Sequence, residues 1–342
     1  MGNRQSHVTA AASLSLCTLY LLYTKIYCSY CLLKTKELHS DRQPSFSYLL
    51  IRYLSRCLSG SAGSCTKETA ALEFTVDGCR LDTLVLRRFC SVAGYGWDYP
   101  DSEYRDLPLC FPETLFFKLL LMLLTDKNFR LSPAGLVRVR QSIRTLQPID
   151  ELKKGLFWMR ATVLVYRDVS AGVEVDIALS ATSRNQSLVW ESVLTLLSRN
   201  MTQTDTTSVL LNKHEDEPLE PKQVDLTRPT FPMMPSSDFS PWRVFTALCG
   251  LNSLITPRLW MLSVCLAEIE KHRGVKSVTA PASVIAQFTE DSQRLKGKVQ
   301  VRFWNSSQTG SCQVTQKVCF NLTNQGRNKI LMEGHVLTNV SD

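Results

Sequence analysis

At 342 residues, 44% hydrophobic and 20% charged, the chain is long enough for about two domains and apolar enough to bury ordinary cores. Wholesale disorder is excluded. The formal charge of +8 is scattered among acids and no block of like charge or nucleic-acid motif accompanies it, so the basic balance does not mark a nucleic-acid binder.

The first element in chain order concerns address. Leu14 to Leu33 is about as long as a bilayer crossing requires, but Lys25 interrupts it. Tyr20, Tyr23, Tyr27 and Tyr30 suit a membrane interface, with Lys34 and Lys36 beside them. Met1-Gly2-Asn3-Arg4-Gln5-Ser6 fits the N-myristoylation pattern with Gly2 as acceptor, and one such chain needs a second anchor. No acid occurs in the first 36 residues, which also permits an organelle presequence. The expectation is membrane association through residues 1–33, with mitochondrion or cytoplasm as alternatives. Twelve cysteines invite a disulfide or metal reading. Cys28-x-x-Cys31 lacks a second pair at zinc spacing, so no metal is assigned, and free thiols are the plainer reading.

The organised chain is expected to begin near Ala70. Leu81 to Val92 reads as a short amphipathic helix, followed by a loop through Gly94, Gly96 and Pro100. Glu113 to Leu124 is apolar on nearly all sides yet too short to span a bilayer, which makes it a buried helix. Strands are predicted over Leu136 to Ile143, Leu156 to Tyr166, Gly172 to Ser180 and Ser187 to Leu197. A polar linker runs from Asn200 to about Pro235. A second helix follows over Arg258 to Lys271, with Thr256 as N-cap, Pro257 in its first position and Gly274 as terminator. Four more strands follow it, around Ser277 to Phe288, Lys298 to Trp304, Ser311 to Leu322 and Lys329 to Thr338. A greasy helix followed by an antiparallel meander requires the sheet to wrap the helix, and the pattern occurs twice. The fold class is therefore α+β, a tandem hot dog with antiparallel sheets wrapped around central helices. Two unrelated α+β domains are the competing reading. The chain divides into an N-terminal segment (1–65), a first hot dog (66–199), a linker (200–235) and a second hot dog (236–342).

Several stretches carry a resemblance. Leu107-Pro108-Leu109-Cys110-Phe111-Pro112, the helix through Leu124-Thr125-Asp126, Gly135-Leu136-Val137-Arg138-Val139-Arg140 and Val189-Trp190-Glu191-Ser192 resemble the non-catalytic half of the MaoC-like enoyl-thioester hydratases and 3-hydroxyacyl-thioester dehydratases. Asp238-Phe239-Ser240-Pro241 and Ile255-Thr256-Pro257-Arg258-Leu259-Trp260 are similar to the catalytic half. The resemblance implies reversible addition of water to an enoyl thioester in fatty-acid metabolism. It implies no metal or redox cofactor, and acyl-CoA or an acyl-carrier protein as the partner. A homodimer is left open, and nucleic acid is not expected.

In that family an Asp and a His activate water, while a helix-start N–H holds the thioester oxygen. Asp238 matches the Asp. Arg243 stands at the His position, and an arginine cannot give up its proton near neutral pH. Pro257 brings no N–H, which leaves the Arg258 amide as the candidate oxyanion donor. Three explanations stay open: catalysis lost with the thioester cleft kept, weak hydration through Asp238, or an error of gene prediction over residues 237–258. Asp238 also has an ordinary turn reading. Outside hydration, an interaction scaffold and a thioesterase are the other classes. For the latter, Glu268 and Glu270 sit too late in their helix. No Gly-x-Ser-x-Gly elbow or Rossmann glycines are present.

Overall fold

A computed structural model describes residues 20, 23–59, 72–101, 105–199, 222–226, 256–289, 298–306, 315–325 and 329–339. Among these residues eleven strands form one sheet in the order β1-β2-β4-β5-β6-β3-β8-β11-β10-β9-β7. The first half holds β1 (Glu37–His39), β2 (Glu73–Cys79), β3 (Val137–Thr145), β4 (Phe157–Val169), β5 (Gly172–Thr182) and β6 (Leu188–Arg199). The second holds β7 (Lys222–Leu226), β8 (Ala282–Phe288), β9 (Val299–Ser306), β10 (Thr315–Asn324) and β11 (Lys329–Asn339). Read outward from the seam, the orders are β3-β6-β5-β4-β2 and β8-β11-β10-β9-β7. Each half has an opening strand (β2 or β7), a central helix, a strand at the join (β3 or β8) and a three-strand meander whose last strand returns beside that one, with β1 extending the outer edge of the first half. That repeated topology establishes two copies of one architecture and disposes of the unrelated-domains alternative. The halves meet through an antiparallel ladder from Arg140–Gln287 to Thr145–Ala282. There the Thr145 hydroxyl accepts from the Ala282 N–H at 3.1 Å.

Alternation along the strands sets which face is covered. In β8 every second residue is buried, with Ala282, Val284, Ala286 and Phe288 turned inward. At the β4–β5 hairpin Gly172 has φ +145°, and a Cβ there would lie 2.0 Å from the Ser198 carbonyl oxygen on β6. Only glycine lets the two chains approach that closely.

Helix α1 (residues 23–34) and α2 (Phe46–Ser59) precede the expected start of the organised chain. The expectation that order begins near Ala70 is thereby corrected. β1 pairs in parallel with β2, and α2 buries Leu49, Leu50 and Tyr53. Arg52 donates to the Thr125 carbonyl at 2.9 Å, and Arg56 to those of Asp126 and, at 2.7 Å, Phe129. Two arginines thus satisfy carbonyls left over at the C-terminal end of a buried helix, where cations also complement the helix dipole. α3 (Thr83–Val92) starts on Asp82, whose side chain accepts the Leu84 N–H at 2.8 Å.

The predicted helix over 113–124 is two helices, α4 (Phe111–Leu115) and α5 (Phe117–Thr125), joined at Phe116. Phe116 stacks on Trp190 with ring centroids 5.6 Å apart, and the indole N–H donates to the Leu109 carbonyl at 2.8 Å. From Leu119 to Thr125 every residue is buried, as the all-round apolar pattern requires. The stretch read as linker contains β7, which pairs with β9 and opens the second half as β2 opens the first. Five residues without alternation of large apolar side chains gave no strand signal. Among the described residues no helix is long and apolar enough to cross a membrane.

Candidate functional site

The second half is organised around α6 (Pro257–Arg273). Thr256 takes an extended conformation and its hydroxyl accepts the Leu259 N–H at 3.1 Å, as an N-cap should. Pro257 fills the first turn, and Gly274 at φ +88° ends the helix with its N–H on the Glu270 carbonyl at 2.9 Å. Every residue from Arg258 to Glu270 is buried, polar ones included. Such burial needs cover on both sides. The sheet supplies one, and the first half's Val92, Tyr99 and Cys110 contribute to the other. The Trp260 indole donates to the Val92 carbonyl at 3.0 Å, and the Ser263 hydroxyl faces the Cys110 thiol.

Arg258 lies in the first turn of this buried helix, at its positive end. Its guanidinium lies 5.9 Å from the Phe288 ring and is only 2% exposed. Asp238 and Arg243 lie outside the described residues, as does Gly2. The first turn limits what the helix can offer a carbonyl oxygen. Pro257 has no N–H, the Leu259 N–H is used by Thr256, and the Trp260 N–H donates to the Thr256 carbonyl at 2.8 Å. No acid occupies that turn.

Two polar clusters in the interior were missed by sequence reasoning. Beneath α4, the Arg138 guanidinium donates to Glu113 Oε1 at 2.6 Å and to Gln141 Oε1 at 2.9 Å. The Gln141 amide donates to Glu113 Oε2 at 2.6 Å and to the Ser192 hydroxyl at 3.3 Å. All four residues are buried. A lone acid at the head of an otherwise greasy helix was the available signal, because such a charge must find a partner.

The second cluster joins the halves. Tyr99 donates to the Glu270 carboxylate at 3.0 Å beside a cavity of about 10 Å³, room for one water, lined also by Tyr95, Asp106, Leu107 and Thr279. Burial holds the Glu270 carboxyl above its usual range, against the lowering effect of the Tyr99 bond. Burial also raises Asp106, despite N–H bonds from Leu107, Ile149 and Asp150. Glu268 is engaged by Lys271 at 2.6 Å and by His272 at 3.7 Å. Both acids lie toward the C-terminal end of α6, away from its first turn. None of the described cysteines forms a disulfide with another described one. Burial pushes the Cys79, Cys90 and Cys110 thiols up to about 12, which makes them poor nucleophiles.

Two helix-and-meander units sharing one sheet define an α+β protein of the tandem hot-dog class. Neither a scan of protein-family models nor a search of curated proteins finds a match. Solved structures do match. A MaoC-like dehydratase from Phytophthora capsici is 16% identical with a TM-score of 0.53, over 80% of this chain and 95% of that one. HtdX of Mycobacterium tuberculosis is also 16% identical, with a TM-score of 0.50 over 77% of this chain and 98% of that one. A further MaoC-like dehydratase is 9% identical with a TM-score of 0.51, covering 79% and 98% respectively. The fold is that of the MaoC-like dehydratases, as the ordered set of sequence stretches implied.

Proposed function

We propose that the chain binds acyl thioesters, as acyl-CoA or on a carrier protein, in the cleft of its second half, and that it hydrates enoyl thioesters slowly or not at all. The observation that carries this reading is the first turn of α6. A buried helix start, free of acids, offers its positive end to a thioester oxygen. The donors that would stabilise an enolate there are depleted by Pro257 and by the Thr256 cap. The resemblance assigns the oxyanion role to the backbone amide of Arg258, the residue after Pro257. The sequence points the same way, because Arg243 stands where the family has a general base and cannot accept a proton. Asp238 would be left to position water alone. No metal or redox cofactor is called for by this chemistry.

The test uses the full purified chain, crotonyl-CoA and a longer enoyl-CoA, with hydration followed by loss of enoyl absorbance and binding by calorimetry. Saturable binding with turnover no greater than that of an Asp238→Asn variant is expected. Robust turnover that the variant abolishes would establish a working hydratase and refute the reading. Absence of any binding would refute the thioester cleft itself.

A further inference from the structure

α1 lies on the body by one face only. Ser29 is buried, and its hydroxyl sits 3.2 Å from that of Ser45 while accepting the Ser45 N–H at 3.1 Å. Leu33 is buried one turn further on. The opposite side is exposed and unusually aromatic. Tyr23, Tyr27 and Tyr30 continue a stripe from Tyr20, with Ile26 on its flank, and these five residues are 45% to 67% exposed. The spacing of three and four residues puts them along one side of a helix. The Tyr23 and Tyr27 rings stack at 6.2 Å, and the Lys34 ammonium lies 4.6 Å from the Tyr30 ring. A contiguous apolar and aromatic patch of this kind is uncommon on a soluble surface and marks a site of contact.

We infer that this face of α1 lies flat on an anionic lipid bilayer, with the helix in the plane of the interface. Tyrosine suits that depth, because its ring enters the acyl boundary while its hydroxyl stays among headgroups. The charges fit as well. Lys34 and Lys36 are exposed beside the stripe, Lys25 is exposed on the flank away from it, and no acid occurs in the first 36 residues. A second copy of the same face is disfavoured, since it would bring the Lys34 ammonium groups toward one another while α1 itself carries no acid to face them. The seating on Ser29 and Leu33 separates this arrangement from a spanning helix. The inference is independent of thioester binding.

The test is cosedimentation of the full chain, purified without lipid modification, with phosphatidylcholine vesicles alone and with vesicles containing phosphatidylserine. Two variants accompany it, Tyr23→Ser/Tyr27→Ser/Tyr30→Ser and Lys25→Glu/Lys34→Glu/Lys36→Glu. All six side chains are exposed, so both variants should keep the parent's circular dichroism and melting temperature. Binding to the anionic vesicles is expected, with loss on the order of tenfold or more in either variant and weakening as salt rises. Hydrogen exchange over residues 23–36 should slow on vesicles. Binding that survives both variants would place the contact elsewhere and overturn the inference. So would a face that fails to bind vesicles and instead supports self-association, or capture of an acidic protein, abolished by the same variants.

Discussion

The Glu113–Arg138–Gln141 network gives the sharpest test of how the first half holds together. Replacing Arg138 with methionine keeps volume near β3 but leaves the Glu113 carboxylate buried with only the Gln141 amide against it. Removing one partner of a buried pair costs about 3–5 kcal/mol. Both side chains here are 3% exposed or less, so solvent offers little rescue. A Glu113→Leu change in the Arg138→Met background removes the stranded charge. What then remains is the Gln141 amide, which keeps Ser192 at 3.3 Å and loses both charged partners. Leaving part of one amide unsatisfied costs about 1–3 kcal/mol, so the double variant should be more stable than the Arg138→Met single. Urea unfolding of the parent, both singles and the double would read the coupling directly. If Arg138→Met fell within about 1 kcal/mol of the parent, or if the double were the sum of the singles, the network would not hold α4 on the sheet as argued.

Three other outcomes follow from the geometry. Thr256→Ala removes the cap of α6 and should lower stability by about 1 kcal/mol in urea, with Thr256→Asn restoring most of it. Glu270→Gln should stabilise at neutral pH, because burial raises the folded-state value of this acid and the charged form carries a cost. That cost is absent where both states hold the proton, so the variant's advantage should fade as pH falls toward the unfolded value near 4.5. A pH-independent difference would show that the Tyr99 bond, and not ionisation, sets the effect. A chain shortened to begin at residue 66 loses α2 with the fully buried Leu49 and Tyr53. It should bind a hydrophobic dye and aggregate during purification, and a cooperative melt at the parent's temperature would contradict this.

Legibility varied with the kind of signal. The two greasy helices and eight of the strands were readable because burial on all sides, or on alternate residues, is written directly into composition. Thr256 and Gly274 were readable because capping chemistry uses few residue types. α2 was not, since it buries only three side chains and spends its arginines on carbonyls of a distant helix, a pairing no local pattern reveals. β7 was hidden by its polar edge position, where Gln223 and Asp225 alternate with Val224 and contact only one neighbouring strand. Of the candidate site, the position of Arg258 in the first turn of a buried helix was readable from Thr256 and Pro257 before it. Glu113 and Tyr99 were missed because their partners lie across the fold, 25 and 171 positions away.

The mirrored strand order makes the difference between the two helix starts informative. Each half has a proline in the first turn of its helix, Pro112 in α4 and Pro257 in α6, but the next residue is Glu113 in one and Arg258 in the other. In the first half the carboxylate sits at the positive end of α4 and is closed off by Arg138 and Gln141. Nothing negative can be added there without displacing a buried ion pair. The first turn of α6 carries no acid and adds a cation beside the dipole. On the proposed function, the helix dipole at that end would favour an oxygen that gains negative charge, whereas at the start of α4 the Glu113 carboxylate already occupies that position. An acid in the first turn of one helix and none in the first turn of the other is the physical reason the proposal places the thioester cleft in the second hot dog.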